Sequence, residues 1–526
     1  TMACGPRGKE SKTSYAVSSA TPEATRAGMN ILEKGGNAID AAVAIAFTLA
    51  VTEPAMTGLG AGVQILVSIP GKDPFVINGT TYSPQATSVK ATEDDIKFHR
   101  RSTIPSFVKT LDFARQRFGS GDISWKETLE PAIDYAQNGF EMGPFRARVY
   151  KQYESRLQES PYNMSHFLID GQAPVEGQLF QQPVLDKTLQ RLAEVGADDF
   201  YHGEIAATIA NDMKENGGWI TLEDLNNFPT PKILPALSTL YRQSHTVFTS
   251  TPPCGGWVVL LALNLLEQNQ VAEDNEQRAK NLIQTLALAH GERQKDPVRN
   301  MIDYEEEVSK KISKAKAIDL LNEFQSANTE QDLTDSGETT HFSVVDANGM
   351  AVSVTTSINA YFGSRAASKD LGFIYNSYME DFVYGDTSHS YAVGPGKMAY
   401  SSMSPAIVRD KSGENVLALG SPGSARIISA VTQTIEYWLD GHGKISETIA
   451  NPRLHVNGRK VYLEFEPSET LKAWLVTNGF ELTEVQNELG SKNMNPYFGG
   501  VHAVAKENGI WVGKADPRRD GVADQR

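Results

Sequence analysis

The fold of this chain is decided by the stretch Thr339-Thr340-His341-Phe342-Ser343-Val344-Val345-Asp346. Apolar and polar residues alternate along it, which predicts a β-strand with one buried face. Asn348-Gly349 follows as a two-residue hairpin turn, and residues 350–358 alternate again as the partner strand. The sequence therefore predicts a β-hairpin whose first strand begins at Thr339.

The segment before this hairpin has a different composition. The first half of residues 305–338 predicts a solvent-facing helix, and the polar, acidic residues 326–338 predict a mobile linker. A linker that leads into a threonine suits an N-terminal nucleophile, because its own α-amine becomes the base once the preceding peptide bond is cut. The junction between Glu338 and Thr339 offers this arrangement, although a strand that starts with two threonines also occurs without any catalytic role.

Other segments indicate a mixed α and β architecture. Asn37 and Asp40 form a capping-box pattern before a run that is apolar on nearly every face, which predicts a buried helix. The glycine-rich residues 57–62 lead into a strand at 63–69, an order that argues against a dinucleotide loop. Residues 105–215 are predicted to be mostly helical. Residues 241–250 are predicted as a strand that ends before an apolar helix starting near Trp257.

Composition and charge exclude several classes of protein. The chain has 526 residues, 40% of them hydrophobic, and a formal net charge of −15. Hydrophobic content of this size indicates a folded protein, and the acidic balance argues against nucleic acid as a partner. The longest apolar run, residues 41–51, is shorter than the roughly 20 residues that span a bilayer. No transmembrane segment is therefore expected.

The two cysteines, Cys4 and Cys254, cannot build a disulfide framework, and both are expected to be free. The small residues before Cys4 fit either a truncated end or a processed lipoprotein signal. We therefore expect a periplasmic or secreted protein whose signal peptide has been removed. A protein anchored to the membrane by a lipid on Cys4 is one version of this expectation. Cys254 could be a thiol nucleophile, but a small buried packing residue is the favoured interpretation.

Several common catalytic motifs are absent from the sequence. No glycine is followed two places later by serine, so the serine-hydrolase elbow is missing. The histidines never fall at H-x-x-x-H spacing and no C-x-x-C occurs, so there is no local zinc signature. Residues 394–397 lack the flanking residues of a phosphate loop. No metal ion or organic cofactor is implied.

Six blocks, in order along nearly the whole chain, resemble one known family. They are Ala27-Gly28 through Gly35-Gly36-Asn37-Ala38-Ile39-Asp40-Ala41-Ala42-Val43-Ala44, Glu53-Pro54 with the glycine loop to Gly62, Thr339-Thr340-His341-Phe342-Ser343-Val344, Ser401-Ser402-Met403-Ser404-Pro405, Gly420-Ser421-Pro422-Gly423 and Asp516-Pro517-Arg518. From about residue 16 to 520 the chain is similar to the γ-glutamyltranspeptidase family of N-terminal nucleophile hydrolases.

The resemblance implies an α+β fold, the four-layer αββα sandwich, and a precursor that cuts itself before Thr339. The products would be a large subunit of residues 1–338, with a tail at 1–14, and a small subunit of residues 339–526. Both would form one αββα unit.

The resemblance also implies roles for individual residues. Thr339 matches the nucleophile, Ser357 stands where the family has a supporting threonine, and the backbone N–H groups of Gly423 and Ser424 match the oxyanion hole. The substrate-binding matches are Asn359 and Asp381 for an α-amino group, and Ser401 and Ser402 for an α-carboxylate. Ser424 replaces a glycine of the family. Two substrate-binding positions also depart from it, since Thr80 replaces an arginine and Tyr378 replaces a glutamine that helps to hold the α-amino group.

The function implied is that of an autoprocessing threonine amidase. It would cleave γ-glutamyl amides, such as glutathione-like compounds, through an acyl-enzyme on Thr339, with release to water or an acceptor amine. The departures at Thr80 and Tyr378 leave a glutaryl or cephalosporin-type acylase as the alternative, and an unprocessed, non-catalytic binding protein as a second one. The segment between Asp381 and Ser401 is short for the family, which favours an open site and hydrolysis over transfer.

Overall fold

The computed structural model describes residues 14–324, 338–485, 489 and 494–526. The expected tail before Ser14, with Cys4, and the expected linker before Glu338 lie outside the described residues.

The described residues form 17 α-helices and 18 β-strands, numbered in chain order. The α-helices α1 to α17 are Pro22–Glu33, Ala38–Thr52, Phe107–Phe118, Trp125–Asn138, Pro144–Leu157, Pro161–Phe167, Pro183–Val195, Asp199–His202, Glu204–Glu215, Leu222–Asn226, Gly256–Leu266, Asn275–Lys295, Glu305–Lys311, Lys314–Glu323, Arg426–Leu439, Ile445–Ala450 and Glu469–Thr477. The strands β1 to β18 are Ala16–Ser19, Gly62–Ser68, Phe75–Gly79, Phe140–Glu141, Leu179–Phe180, Lys232–Pro235, Leu237–Tyr241, His245–Thr249, Thr340–Val345, Ala351–Ser357, Ala406–Arg409, Asn415–Gly420, Leu454–Asn457, Lys460–Leu463, Glu481–Leu482, His502–Glu507, Ile510–Ala515 and Val522–Gln525.

Two antiparallel sheets form the middle of the molecule. Within the described ranges, the first sheet has seven strands in the order β18-β1-β9-β10-β2-β3-β6, and the second has six in the order β17-β16-β12-β11-β8-β7. Both sheets contain strands from before and from after residue 338, and in the first sheet β1, from before it, lies between β18 and β9, from after it.

The sheets face each other and helices cover their outer faces. Buried apolar residues between the sheets come from both of them, namely Ala16, Leu66, Val76, Val345, Ala351, Ile407, Ala418, Val504 and Trp511. Helix α2 packs on β9 and β10, while α11 packs on β7 and β8 and α15 on β12. This arrangement confirms the predicted α+β class and its four αββα layers.

The predicted hairpin is confirmed as β9 and β10 at the centre of the first sheet. Its register pairs Thr340 with Thr356 and Val345 with Ala351. Strand β9 also pairs with β1, and β10 with β2, so both strands are held on two sides. The end of β10, Ser357, therefore lies beside the start of β9.

The predicted buried helix is also confirmed. Asn37 accepts from the backbone of Asp40 while the Asp40 side chain accepts from the backbone of Asn37, and every residue of α2 is buried. The mostly helical character of residues 105–215 and the apolar helix near Trp257 are confirmed as well. None of the helices in the described part of the chain has the length and apolar character needed to cross a membrane.

One strand differs from its prediction. Residues 241–250 were expected as a single strand, but the chain turns at Arg242 and Gln243 and β8 begins only at His245. Both turn residues have positive φ, 46° and 52°. This is the backbone of a tight hairpin turn, which is usually marked by glycine or asparagine. The sequence lacks that signal here.

Candidate active site

Thr339 lies immediately before β9, where the hairpin register brings it beside Ser357. Thr339 is buried, and its Oγ1 donates to Ser357 Oγ across 3.4 Å. The distance is long for a hydroxyl pair, whose usual separation is about 2.7–2.8 Å. The two hydroxyls are therefore neighbours in a loose contact.

The Ser357 hydroxyl is the centre of a small hydrogen-bond network. Its Oγ donates to the carbonyl oxygen of Glu338 at 2.6 Å and accepts from the backbone N–H of Asn359 at 2.8 Å. One hydroxyl thus contacts the residues on both sides of the Glu338–Thr339 peptide bond.

Glu338 is fixed by its backbone and by its side chain. Its N–H donates to the Asn359 carbonyl. Its buried carboxylate pairs with Arg426 at 3.0 Å and Arg519 at 2.8 Å. Charge-assisted hydrogen bonds of this kind are roughly twice as strong as neutral ones, so the residue before Thr339 is held in one position.

The loop between β12 and α15 supplies the predicted oxyanion residues. Gly423 and Ser424 have φ values of 121° and 53°. The Gly423 carbonyl accepts from the Arg426 N–H at 3.0 Å, so the loop leads directly into the first turn of α15. The N-terminus of a helix carries a partial positive charge that stabilises nearby anions. The left-handed φ at Ser424 favours glycine, the residue expected there in the family.

A cavity of about 40 Å³ brings most of the predicted site residues together. Those lining it are Thr339, Ser357, Asn359, Tyr378, Asp381, Ser401, Ser402 and Ser424. The predicted residues that do not line it are Glu338, Gly423 and Thr80. The predicted nucleophile, its neighbouring hydroxyl and the polar residues predicted to bind the substrate thus share one cavity.

Asp381 stands at the end of a short 3₁₀ helix, Tyr378–Asp381. Burial raises the pKa of its carboxyl to about 7, and a hydrogen bond with the Asn359 side chain opposes the increase. Burial also raises the pKa of Tyr378, which stays neutral. A carboxylate in this position is available to an ammonium group of a ligand.

Thr80 lies away from this cavity. Its side chain is buried and donates to Asn78 Oδ1 at 2.6 Å, and it accepts from Gln64 Nε2 at 3.1 Å. It lines a separate cavity of about 640 Å³ with residues 228–232 and 395–398. The position expected to carry the substrate arginine therefore contributes no charge to the Thr339 cavity.

Arg293, which no sequence motif identifies, also lines the Thr339 cavity. It lies near the end of α12, where its Nη2 donates to the Ser401 carbonyl at 3.2 Å and to Ser402 Oγ at 3.0 Å. Its guanidinium lies over the Tyr400 ring, 4.4 Å from the centroid. The surrounding sequence, with several charged residues, looks like an ordinary helix end, so only the tertiary packing identifies this arginine.

Cys254 is free and buried, and burial raises the pKa of its thiol to about 12. A thiol in this state is a poor nucleophile because little thiolate is present. This confirms the interpretation as a packing residue.

One group of potential metal ligands occurs in the described part of the chain, namely Glu436, Asp440 and His442. Glu436 pairs with Arg278 at 2.7 Å and Asp440 pairs with Arg242 at 2.7 Å. Both carboxylates already have a cationic partner, so this group is accounted for by ion pairing within the protein.

Comparison with known proteins places the chain in a family. The sequence profile described as gamma-glutamyltranspeptidase matches residues 24–525. The glutathione hydrolase proenzyme of Bacillus subtilis (strain 168) is 30% identical over 551 residues, covering 96% of this chain and 90% of that protein. The proenzyme of the same name from Pseudomonas aeruginosa is 32% identical over 460 residues, covering 81% of this chain and 80% of the relative.

A solved structure described as a cephalosporin acylase from Bacillus halodurans superposes with a TM-score of 0.87 at 25% identity. The match covers 97% of this chain and 95% of the chain in that structure. Fold and matches together define an enzyme of the N-terminal nucleophile hydrolase class. Within that class the chain belongs to the gamma-glutamyltranspeptidase family.

Proposed function

We propose that this protein is an autoprocessing threonine amidase that cleaves γ-glutamyl amides, such as glutathione-like compounds, with Thr339 as its nucleophile. The observation that carries the proposal is the single cavity that holds Thr339, Ser357 and the polar residues around Asp381. The family relationship supports the same reaction, since the relatives from Bacillus subtilis and Pseudomonas aeruginosa are named glutathione hydrolase proenzymes.

The first step is cleavage of the chain before Thr339. Thr339 Oγ1 attacks the carbonyl carbon of Glu338, the C–N bond breaks, and an ester forms between Glu338 and the threonine hydroxyl. Water then hydrolyses the ester, leaving a carboxylate on Glu338 and a free α-amine on Thr339. The 2.6 Å hydrogen bond from Ser357 supports this step, because it places a donor on the oxygen where negative charge develops.

The free α-amine is the general base for turnover. It takes the proton of Thr339 Oγ1 while the oxygen attacks the substrate amide, and it returns a proton to the departing amine. The backbone N–H groups of Gly423 and Ser424 stabilise the tetrahedral oxyanion. Water, or an acceptor amine, then releases the acyl group from Thr339.

The cavity lining favours an acyl group that carries charges. Asp381 and Asn359 bind its α-amino group, and Ser401 and Ser402 bind its α-carboxylate; Tyr378 fills the place beside them. Asp381 supports a γ-glutamyl group over a glutaryl group, because only the former offers an ammonium to this carboxylate.

The second candidate is a glutaryl or cephalosporin-type acylase. Tyr378 supports it, because it stands where the family has a glutamine that helps to hold the α-amino group. The likeness to the Bacillus halodurans structure supports it as well. An acylase of this kind would use the same nucleophile, and it would prefer donors without an ammonium group.

The test is intact-mass analysis of the purified protein and of Thr339→Ala, together with assays on γ-glutamyl and glutaryl p-nitroanilide. We expect cleavage into residues 1–338 and 339–526 in the wild type alone, with faster turnover of the γ-glutamyl donor. A strong preference for the glutaryl donor would support the acylase. An uncut, inactive wild-type chain would leave the non-catalytic binding protein as the explanation.

A further inference from the structure

Arg293 is a buried cation that makes no ion pair with any residue in the described part of the chain. Arg293 is 3% exposed to solvent. Its Nε makes no hydrogen bond, and among the described residues no carboxylate lies within 4.0 Å of its guanidinium. Arginine cannot lose its charge in a protein, so this positive charge is permanent.

A buried charge without a partner is costly, because burial removes the water that would stabilise it. The contact with the Tyr400 ring compensates only in part, since an uncharged ring attracts the cation without supplying a negative charge. The hydrogen bonds to the Ser401 carbonyl and the Ser402 hydroxyl satisfy one nitrogen, Nη2, and do not neutralise the charge. The arrangement is typical of a preformed site for an anion.

The anion site lies in the same cavity as the nucleophile. Arg293 contacts Ser402 directly, and both residues line the cavity with Thr339. The cavity also contains one carboxylate, Asp381. A guanidinium and a carboxylate in one small cavity complement a ligand that carries both a carboxylate and an ammonium group.

We infer that Arg293, together with Ser402, binds the α-carboxylate of the acyl donor and selects amides whose acyl chain ends in a carboxylate. This inference rests on the proposed function. In this protein Arg293, on α12, supplies the positive charge that the family arginine would supply from the position of Thr80. The substrate class that follows is an amide with the carboxylate on the third carbon beyond the acyl carbonyl.

Three p-nitroanilide donors separate the contributions of the two charges. The γ-glutamyl donor carries the carboxylate and the ammonium, the glutaryl donor keeps only the carboxylate, and the 4-aminobutyryl donor keeps only the ammonium. We expect Arg293→Gln to lower kcat/KM for the γ-glutamyl and glutaryl donors by about 10- to 100-fold relative to the 4-aminobutyryl donor, the range of a lost charged hydrogen bond. Arg299→Gln is the matched control, because this arginine is largely exposed and pairs with Asp296; its donor ratios should equal those of the wild type.

Arg293→Lys keeps the charge and loses the planar fork, so it should lose about tenfold on the two carboxylate donors. The melting curve of Arg293→Gln and its cleavage before Thr339 show whether that variant folds. If it does not fold, the donor ratios of Arg293→Lys are compared with those of the wild type instead. An equal loss on all three donors, or no loss on any, would overturn the inference and leave the proposed function intact. A wild-type protein that turns over none of the three donors would overturn the proposed function and this inference with it.

Discussion

The Ser357 hydroxyl donates a 2.6 Å hydrogen bond to the carbonyl oxygen of Glu338, while Thr339 Oγ1 lies 3.4 Å from the same hydroxyl. Because Ser357 ends β10 and Thr339 precedes β9, the pairing of these two strands brings the groups together. The sheet therefore places a donor on the carbonyl that the threonine would attack.

Removal of this hydroxyl should slow cleavage of the chain. We expect Ser357→Ala to be cut before Thr339 roughly 100-fold more slowly, which corresponds to the loss of one oxyanion donor, and Ser357→Thr to be cut at nearly the normal rate. The measurement is a time course of intact mass. Ser353→Ala is the matched control, since this hydroxyl on the same strand donates to the Leu419 carbonyl, away from the junction. Equal rates for Ser357→Ala and the control would contradict the prediction.

Asp381 should make donor preference depend on pH. Its pKa is raised to about 7, so the carboxylate is lost as the pH falls below that value. The attraction for an ammonium is then lost, and the kcat/KM ratio of γ-glutamyl to glutaryl donor should fall by up to about tenfold per pH unit. The ratio cancels the titration of the Thr339 α-amine, which both donors share.

Asp381→Asn provides the reference for that titration. The variant should show a low ratio that does not change between pH 5 and pH 8, because no carboxylate remains to titrate. A wild-type ratio that is equally flat would show that Asp381 does not face the ammonium.

Loss of the Glu338 carboxylate should destabilise the uncut chain. Glu338→Ala removes an anion that Arg426 and Arg519 share in a buried site, and breaking such pairs costs about 3–5 kcal/mol. The comparison is made in a Thr339→Ala background, where cleavage cannot occur, by denaturant unfolding. An unchanged unfolding midpoint would contradict the prediction, because it would mean that other groups compensate the charges of the two arginines.

Ser424 should tolerate glycine and reject a β-branched residue. Its φ of 53° is unfavourable for a side chain by about 1–2 kcal/mol, and the proposed role belongs to its backbone N–H. Ser424→Gly should keep turnover within about threefold, whereas Ser424→Val should lower both the melting temperature and turnover. A large loss of activity in Ser424→Gly with normal folding would assign the role to the hydroxyl.

Much of the fold could be predicted because the deciding signals are local. The alternation from Thr339 onward with Asn348-Gly349, and the capping pair Asn37 and Asp40, each specify one element within a few residues. The turn at Arg242 and Gln243 escaped prediction, since neither residue type marks a positive φ.

The candidate site also contains some residues that the sequence identifies and others that it does not. Motif positions such as Thr339 and Ser401 follow from the sequence, because the family blocks fix them. The role proposed for Arg293 could not be predicted, since it depends on how α12 packs against the loop at Ser401 and Ser402. Thr80 shows the converse: the sequence identifies the missing arginine, and only the tertiary structure shows which cavity the position lines.

The shared sheets have a consequence for a chain that is cleaved before Thr339. β1 pairs with β9 and β18, and β8 pairs with β11, so strands from both sides of the Glu338–Thr339 junction share backbone ladders. Two fragments connected in this way could not part on dilution without unfolding both sheets. Two isotopically labelled preparations, mixed after cleavage, should therefore keep their original partners for as long as the fold persists.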